Sequence, residues 1–124
     1  CPGSIGTPTL SVTSSTPGVA QPGSTLGFTT APAPWLALSF VLLGFDRMNP
    51  IDLTPFGAPA CLVIPDLDVI LPATSRGSYS QTSLVLPADS CLRGLRFYTQ
   101  GLVVDAAANA LGLVTSNAWM VTIE

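Results

Sequence analysis

Proline or glycine interrupts this chain every several residues, with 12 of the first and 11 of the second. Proline breaks helix interiors and both residues mark turns, so only short segments remain between them. Thr and Ser are plentiful in those segments, and the pattern is one of alternation. Leu10 and Val12 fall on one face of residues 8–15, with Thr9, Ser11 and Thr13 on the other. A turn is expected at PGVAQPG, 17–23, after which Leu26 and Phe28 alternate with Thr25, Gly27 and Thr29. Further strands are expected at 35–43, 60–64, 67–71, 77–86, 94–104 and 112–123. In the last, Trp119, Val121 and Ile123 share a face opposite Met120 and Thr122. The Ala-rich stretch 105–112 is scarcely two helical turns long and reads as a loop or a single turn. Many short strands at this spacing predict one all-β domain over 1–124, an antiparallel two-sheet sandwich of Ig-like or jelly-roll-like form.

The stretch WLALSFVLLGF, 35–45, tests that reading hardest, because Ser39 is its one polar side chain. Spanning a bilayer takes about 20 apolar residues in a helix. Pro32 and Pro34 stop this run on one side, and Asp46 and Arg47 on the other, so no membrane span is expected. As a strand it places Leu36, Leu38, Phe40 and Leu42 on one face, and Trp35, Ala37, Ser39, Val41 and Leu43 on the other. An antiparallel sheet with one wet face shows polar residues on one set, and neither set is polar. The expectation is that the even-numbered face enters the core. The other face, with Trp35, Val41 and Leu43, then needs a loop of this chain or another molecule as its cover, and it becomes the candidate assembly face.

Composition narrows the chemistry. The chain is 48% hydrophobic but 9% charged, where an ordinary soluble domain is about 25% charged. Such a chain is not disordered, since disordered segments are polar and charge-rich. Its scattered Arg47, Arg76, Arg93 and Arg96 form no basic stripe, so nucleic acid is not an expected partner. The absence of histidine excludes Ser-His-Asp and Cys-His nucleophile systems and histidine-ligated zinc. Without lysine there is neither a Schiff base nor a phosphate-binding loop. Asp46, Asp52, Asp66, Asp68, Asp89 and Asp105 remain for acid–base work, but a turn-forming role is expected for them, as with Asp46 beside Arg47 and Asp66 beside Pro65. PDLD at 65–68 offers two carboxylates where calcium wants six to eight oxygens. No catalytic residue, cofactor or metal site is therefore assigned. Trp35, Tyr79, Tyr98 and Trp119 are the aromatic side chains a sugar platform could use, although strand aromatics more often pack.

The openings CPGSIGTPT and GFDRMNPIDLTPFGAPAC, followed by LPADSCLRGLRFYTQGLVVDAAANALGLVTSN, cover nearly the whole chain as a set of motifs. Together they resemble a C-terminal domain of many secreted bacterial proteins, notably of planctomycetes. The matching positions include Cys1, Gly6, Gly57, Cys61, Gly94, Tyr98, Gln100, Asn109, Gly112 and Asn117. The resemblance implies an extracellular β-sandwich without recognised catalytic residues. Because Cys1 and Cys61 match its pattern and Cys91 does not, it also implies a Cys1–Cys61 disulfide, leaving Cys91 free or for an intermolecular bond. Ala60 departs from the pattern, which has Gly before the cysteine. Gln100, in an apolar strand, is expected to bond a neighbouring loop, and Asn109 and Asn117 suit either turns or side-chain-to-backbone hydrogen bonds.

The function expected is that of a secreted, non-enzymatic structural subunit. Copies of the chain would associate into an extracellular filament, fibre or surface layer, through faces with few charges to guard against pairing. Three cysteines in a Thr/Ser/Pro/Gly-rich chain that opens at Cys1 fit an exported product whose signal has been removed. Residues 1–16 are either this domain's own first strand or one exchanged with a neighbour. The alternative is a module for cell-surface carbohydrate binding, anchoring or C-terminal sorting. It predicts an exposed aromatic row, whereas self-assembly predicts complementary apolar patches.

Overall fold

The computed structural model describes residues 1–15, 20–45, 47–65 and 68–124, with 47–49 as backbone alone. Asp46, Asp66 and residues 17–19 of the expected 17–23 turn lie outside the described residues. Nine strands are described: β1 (Thr9–Ser14), β2 (Thr25–Ala31), β3 (Ser39–Gly44), β4 (Arg47–Asp52), β5 (Leu62–Pro65), β6 (Val69–Ser75), β7 (Ser80–Val85), β8 (Arg96–Val104) and β9 (Leu113–Thr122). Seven form one antiparallel sheet in the order β1-β2-β7-β6-β3-β8-β9, curled nearly into a barrel, and β4 pairs with β5 in a separate two-stranded arm. Residues 105–112 are turns. Sequence alternation missed β4, because Pro50 interrupts it and proline is confined to edges and bulges.

The closing of the curl follows from counting. Neighbouring strands are antiparallel and there are seven of them, so β1 and β9, the two edges, run in the same direction. No antiparallel ladder can join them. Side chains do so instead: Leu10 N–H donates to Asn117 Oδ1 (2.8 Å), and Trp119 Nε1–H donates to the Leu10 carbonyl (2.6 Å). The register of β8 and β9 shifts between Gln100 and Leu102, so two β9 residues, Ser116 and Asn117, oppose Gly101. An extra residue of this kind re-aims a side chain. Gly101 also allows the interior to be narrow here, since a Cβ on it would lie 2.6 Å from Thr30 Oγ1 and 3.0 Å from Ser116 Oγ.

Leu10, Leu26, Phe28, Val41, Leu43, Leu86, Phe97, Val121 and Ile123 form the core. The run 35–45 departs from the expected arrangement. Its strand begins only at Ser39, and the inward set is Ser39, Val41 and Leu43, in register with Val103, Gly101 and Thr99. Val41 and Leu43 are therefore core residues, 1% and 7% exposed, not part of a surface for assembly. Leu36 and Leu38, expected inside, are 71% and 68% exposed. Leu42 is buried as expected, but on the outer face of β3, beside Gln100. Alternation assigns residues to two faces without saying which points inward when both are apolar.

The cover over that outer face comes from this chain. Gln100 is 1% exposed, and its Nε2 donates to the carbonyls of Leu62 and Ser116 (2.8 Å each), while its Oε1 accepts from Ile64 N–H (3.1 Å). The expected tie to a neighbouring segment is thus a tie to β5, and it lays the β4–β5 arm over β8. Cys1 and Cys61, with Cα atoms 4.9 Å apart, are disulfide-bonded, which fastens the start of the chain to the base of the same arm. Ser4 reinforces this, donating from N–H (2.7 Å) and Oγ (2.8 Å) to Asp105 Oδ2. In this structure β1 pairs with β2 of its own chain. Closing a loop of 60 residues removes enough unfolded-chain entropy that the double variant Cys1→Ser, Cys61→Ser is expected to lose about 4 kcal/mol, read as a lower urea midpoint. An unchanged midpoint would show that the bond contributes nothing.

Candidate functional site

The described aspartates all serve turns and loop ties. Asp52 Oδ1 accepts from Thr54 Oγ1 (2.6 Å) and N–H (2.9 Å), and these two bonds hold its carboxyl below the usual carboxylate range. Asp68 Oδ2 accepts from Phe45 N–H (3.0 Å), and Asp89 Oδ1 from Cys91 N–H (2.9 Å) at the head of a short 3₁₀ turn, Ser90–Leu92. The Cys1 ammonium donates to the Thr115 carbonyl (2.9 Å) and its pKa is lowered by burial. Among the described residues no three His, Cys, Asp or Glu side chains gather where a metal could be held. Nor is any helix among them long and apolar enough to cross a membrane. Cys91 is an exposed free thiol.

The structure divides the four candidate aromatics into two pairs. Tyr98 lines a depression on the outer face of β8 and β9, whereas Trp119, in register with inward-facing Thr99, is committed to the β1–β9 closure through its Nε1. Trp35 and Tyr79 lie in two loops at one end of the barrel. Those loops are clipped together by Ala33 N–H donating to the Ser78 carbonyl (2.7 Å), and the second is closed by Arg76 N–H donating to the Tyr79 carbonyl (2.7 Å).

The loop of residues 32–38 is anchored at both ends and projects in the middle. Ala33 is buried, and the Leu38 carbonyl accepts from Val104 N–H (2.8 Å). Between them Ala37 N–H donates to the Pro34 carbonyl (3.0 Å), making a turn in which Leu36 has φ 58°. That left-handed conformation costs an L-residue roughly 1–2 kcal/mol, and glycine is its usual occupant. Trp35 rests on the next loop: a Cβ on Gly77 would lie 2.8 Å from its Cζ3 and 3.4 Å from its Cε3 and Cη2. Only a glycine admits the indole there, and its φ of +85° favours glycine independently. The product is a tip on which Trp35, Leu36 and Leu38 are 76%, 71% and 68% exposed. Of the candidate assembly face, then, Trp35 stays on the surface while Val41 and Leu43 leave it. Leu36 and Leu38 replace them, and no alternation pattern could have found them, because their exposure comes from a turn inside an apolar run.

The far end of the barrel carries a second apolar feature. Where β3 and β9 end and β8 begins, an opening of about 220 Å³ leads to the core between Leu43, Phe45, Val69, Leu86, Leu95 and Phe97. Phe45, Val69 and Leu95 are exposed at its rim, and the described residues that line it are apolar side chains, glycine and proline. Ala60, the departure from the pattern beside Cys61, has φ 61°, the conformation for which the glycine of that pattern is suited. In comparisons with known proteins, the chain matches no family model, no curated protein and no solved structure.

Proposed function

We propose that this chain is a non-enzymatic, extracellular structural subunit that self-associates, with the tip at Trp35, Leu36 and Leu38 as its contact surface. The observation that carries the reading is the exposure of three large apolar side chains within four positions, held out by a strained turn anchored on either side. Burying each would gain about 1.5–3 kcal/mol, a strong drive toward a partner surface. The disulfide fits export, as does the resemblance to secreted bacterial domains. The two-sheet sandwich belongs to the same proposal. β6 pairs with β3 over Val69–Ala73 and with β7 only at Thr74 and Ser75, so the sheet can be divided there into two halves.

Sedimentation velocity and electron microscopy test the reading. Wild-type chain is expected to form species larger than monomer as concentration rises, and Leu36→Asp to shift association at least tenfold higher in concentration while its melting temperature holds. A wild-type chain that stays monomeric at high concentration would defeat the proposal. Polysaccharide anchoring stands as a second reading because Trp35 is seated on Gly77 beside the Tyr79 loop, leaving most of the indole to solvent. Retention of wild-type monomer, but not Trp35→Ala, on insoluble cellulose or chitin would favour it over self-association.

A further inference from the structure

We infer that copies of this chain stack head to tail, the Trp35–Leu36–Leu38 tip of one seating in the apolar barrel mouth of the next. The inference rests on the self-association proposed above and names the surface that receives the tip.

The topology places the two features at opposite ends of one axis. The tip precedes β3, and the mouth is built where β3 ends, with Leu43 and Phe45, and where β6 and β8 begin, with Val69 and Phe97. A six-residue strand separates them by roughly 20 Å. Both are apolar, and among the described residues no charged side chain lines the mouth. Size agrees as well. A cavity of about 150 Å³ accepts a benzene ring, so 220 Å³ has room for one indole or one leucine side chain.

Two tips packed on one another would make a closed dimer and leave every mouth wet. A tip in a mouth covers both, and since the two surfaces differ and lie at opposite ends, nothing closes the series after two copies. The mouth admits one of the three tip side chains and leaves the other two to pack on its exposed rim at Phe45, Val69 and Leu95, so the contact is smaller than a standard specific interface. Association is therefore expected at high local concentration, with an open distribution of lengths rather than a dimer plateau.

The test uses two kinds of variant of the full chain. Leu36→Asp blocks the tip, and Leu95→Glu, with Phe45→Glu as an independent second, blocks the mouth at residues already exposed. Each folded variant alone is expected to weaken association at least tenfold in sedimentation velocity. An equimolar mixture of tip-blocked and mouth-blocked chains should form a one-to-one dimer and nothing larger, because one competent tip and one competent mouth remain per pair. If both mouth variants assemble as wild type does, or if the mixture stays monomeric, the tip does not enter the mouth and the stacking is overturned while self-association survives. Wild-type chain that never associates overturns both.

Discussion

Replacing Gln100 with Leu is expected to destabilise the fold by about 5 kcal/mol, although Leu is the larger apolar gain on paper. The side chain is buried and serves three backbone groups: Ile64 N–H and the carbonyls of Leu62 and Ser116. Leucine fills similar space but leaves all three without a partner, and each stranded buried group costs about 1–3 kcal/mol. For a domain of this length the loss corresponds to a fall of about 20 °C in melting temperature. It should be local first. Amides of 62–65 are expected to lose hydrogen-exchange protection at temperatures where β8 and β9 keep theirs, because Gln100 holds the arm and not the ladder. A Gln100→Leu variant melting within a few degrees of wild type would mean that the arm is held mainly by the Cys1–Cys61 bond and its own packing.

Val41→Asp is expected to abolish the folded state. Val41 is 1% exposed and stands in register between Gly101 on β8 and Leu71 on β6, inside the core cluster. A carboxylate there has neither water nor a cation and must be buried charged or take up a proton. Either course costs several kcal/mol on top of the lost apolar burial. With total stabilities of about 5–15 kcal/mol, that is enough to leave the chain largely unfolded. The contrast is Leu36→Asp, a change of the same chemical kind only five positions away. It is expected to leave melting nearly unchanged, because Leu36 is exposed and Asp tolerates left-handed backbone better than Leu does. Circular dichroism of the two variants checks both halves. A folded Val41→Asp monomer would overturn the assignment of that face to the core.

These variants mark where the sequence was legible. Alternation located most strands, and Ala-rich 105–112 is indeed turns, because period and punctuation are properties of a few adjacent residues. The environment of Gln100 was readable for a different reason: an amide in an apolar strand must find partners. Which face of 35–45 points inward was not readable, since both are apolar and the cover over Leu42 comes from β5, some twenty residues further along. Nor was the tip. It depends on Leu36 taking a glycine's conformation and on Trp35 finding Gly77, a distant loop glycine that looks like any other turn residue in the chain.

The odd strand number has a mechanical consequence. β1 and β9 are neighbours running the same way, with Cys1 near the tip end and Glu124 near the mouth end. Tension applied between those residues draws the two strands past each other lengthwise. The bonds from Asn117 and Trp119 to Leu10 then lie across the slip plane and are strained together rather than peeled one by one. Load entering at Cys1 also divides, part passing along the chain to β1 and part through the disulfide into the arm that Gln100 holds. A domain wired in this way resists stretching along its long axis more than prying across it.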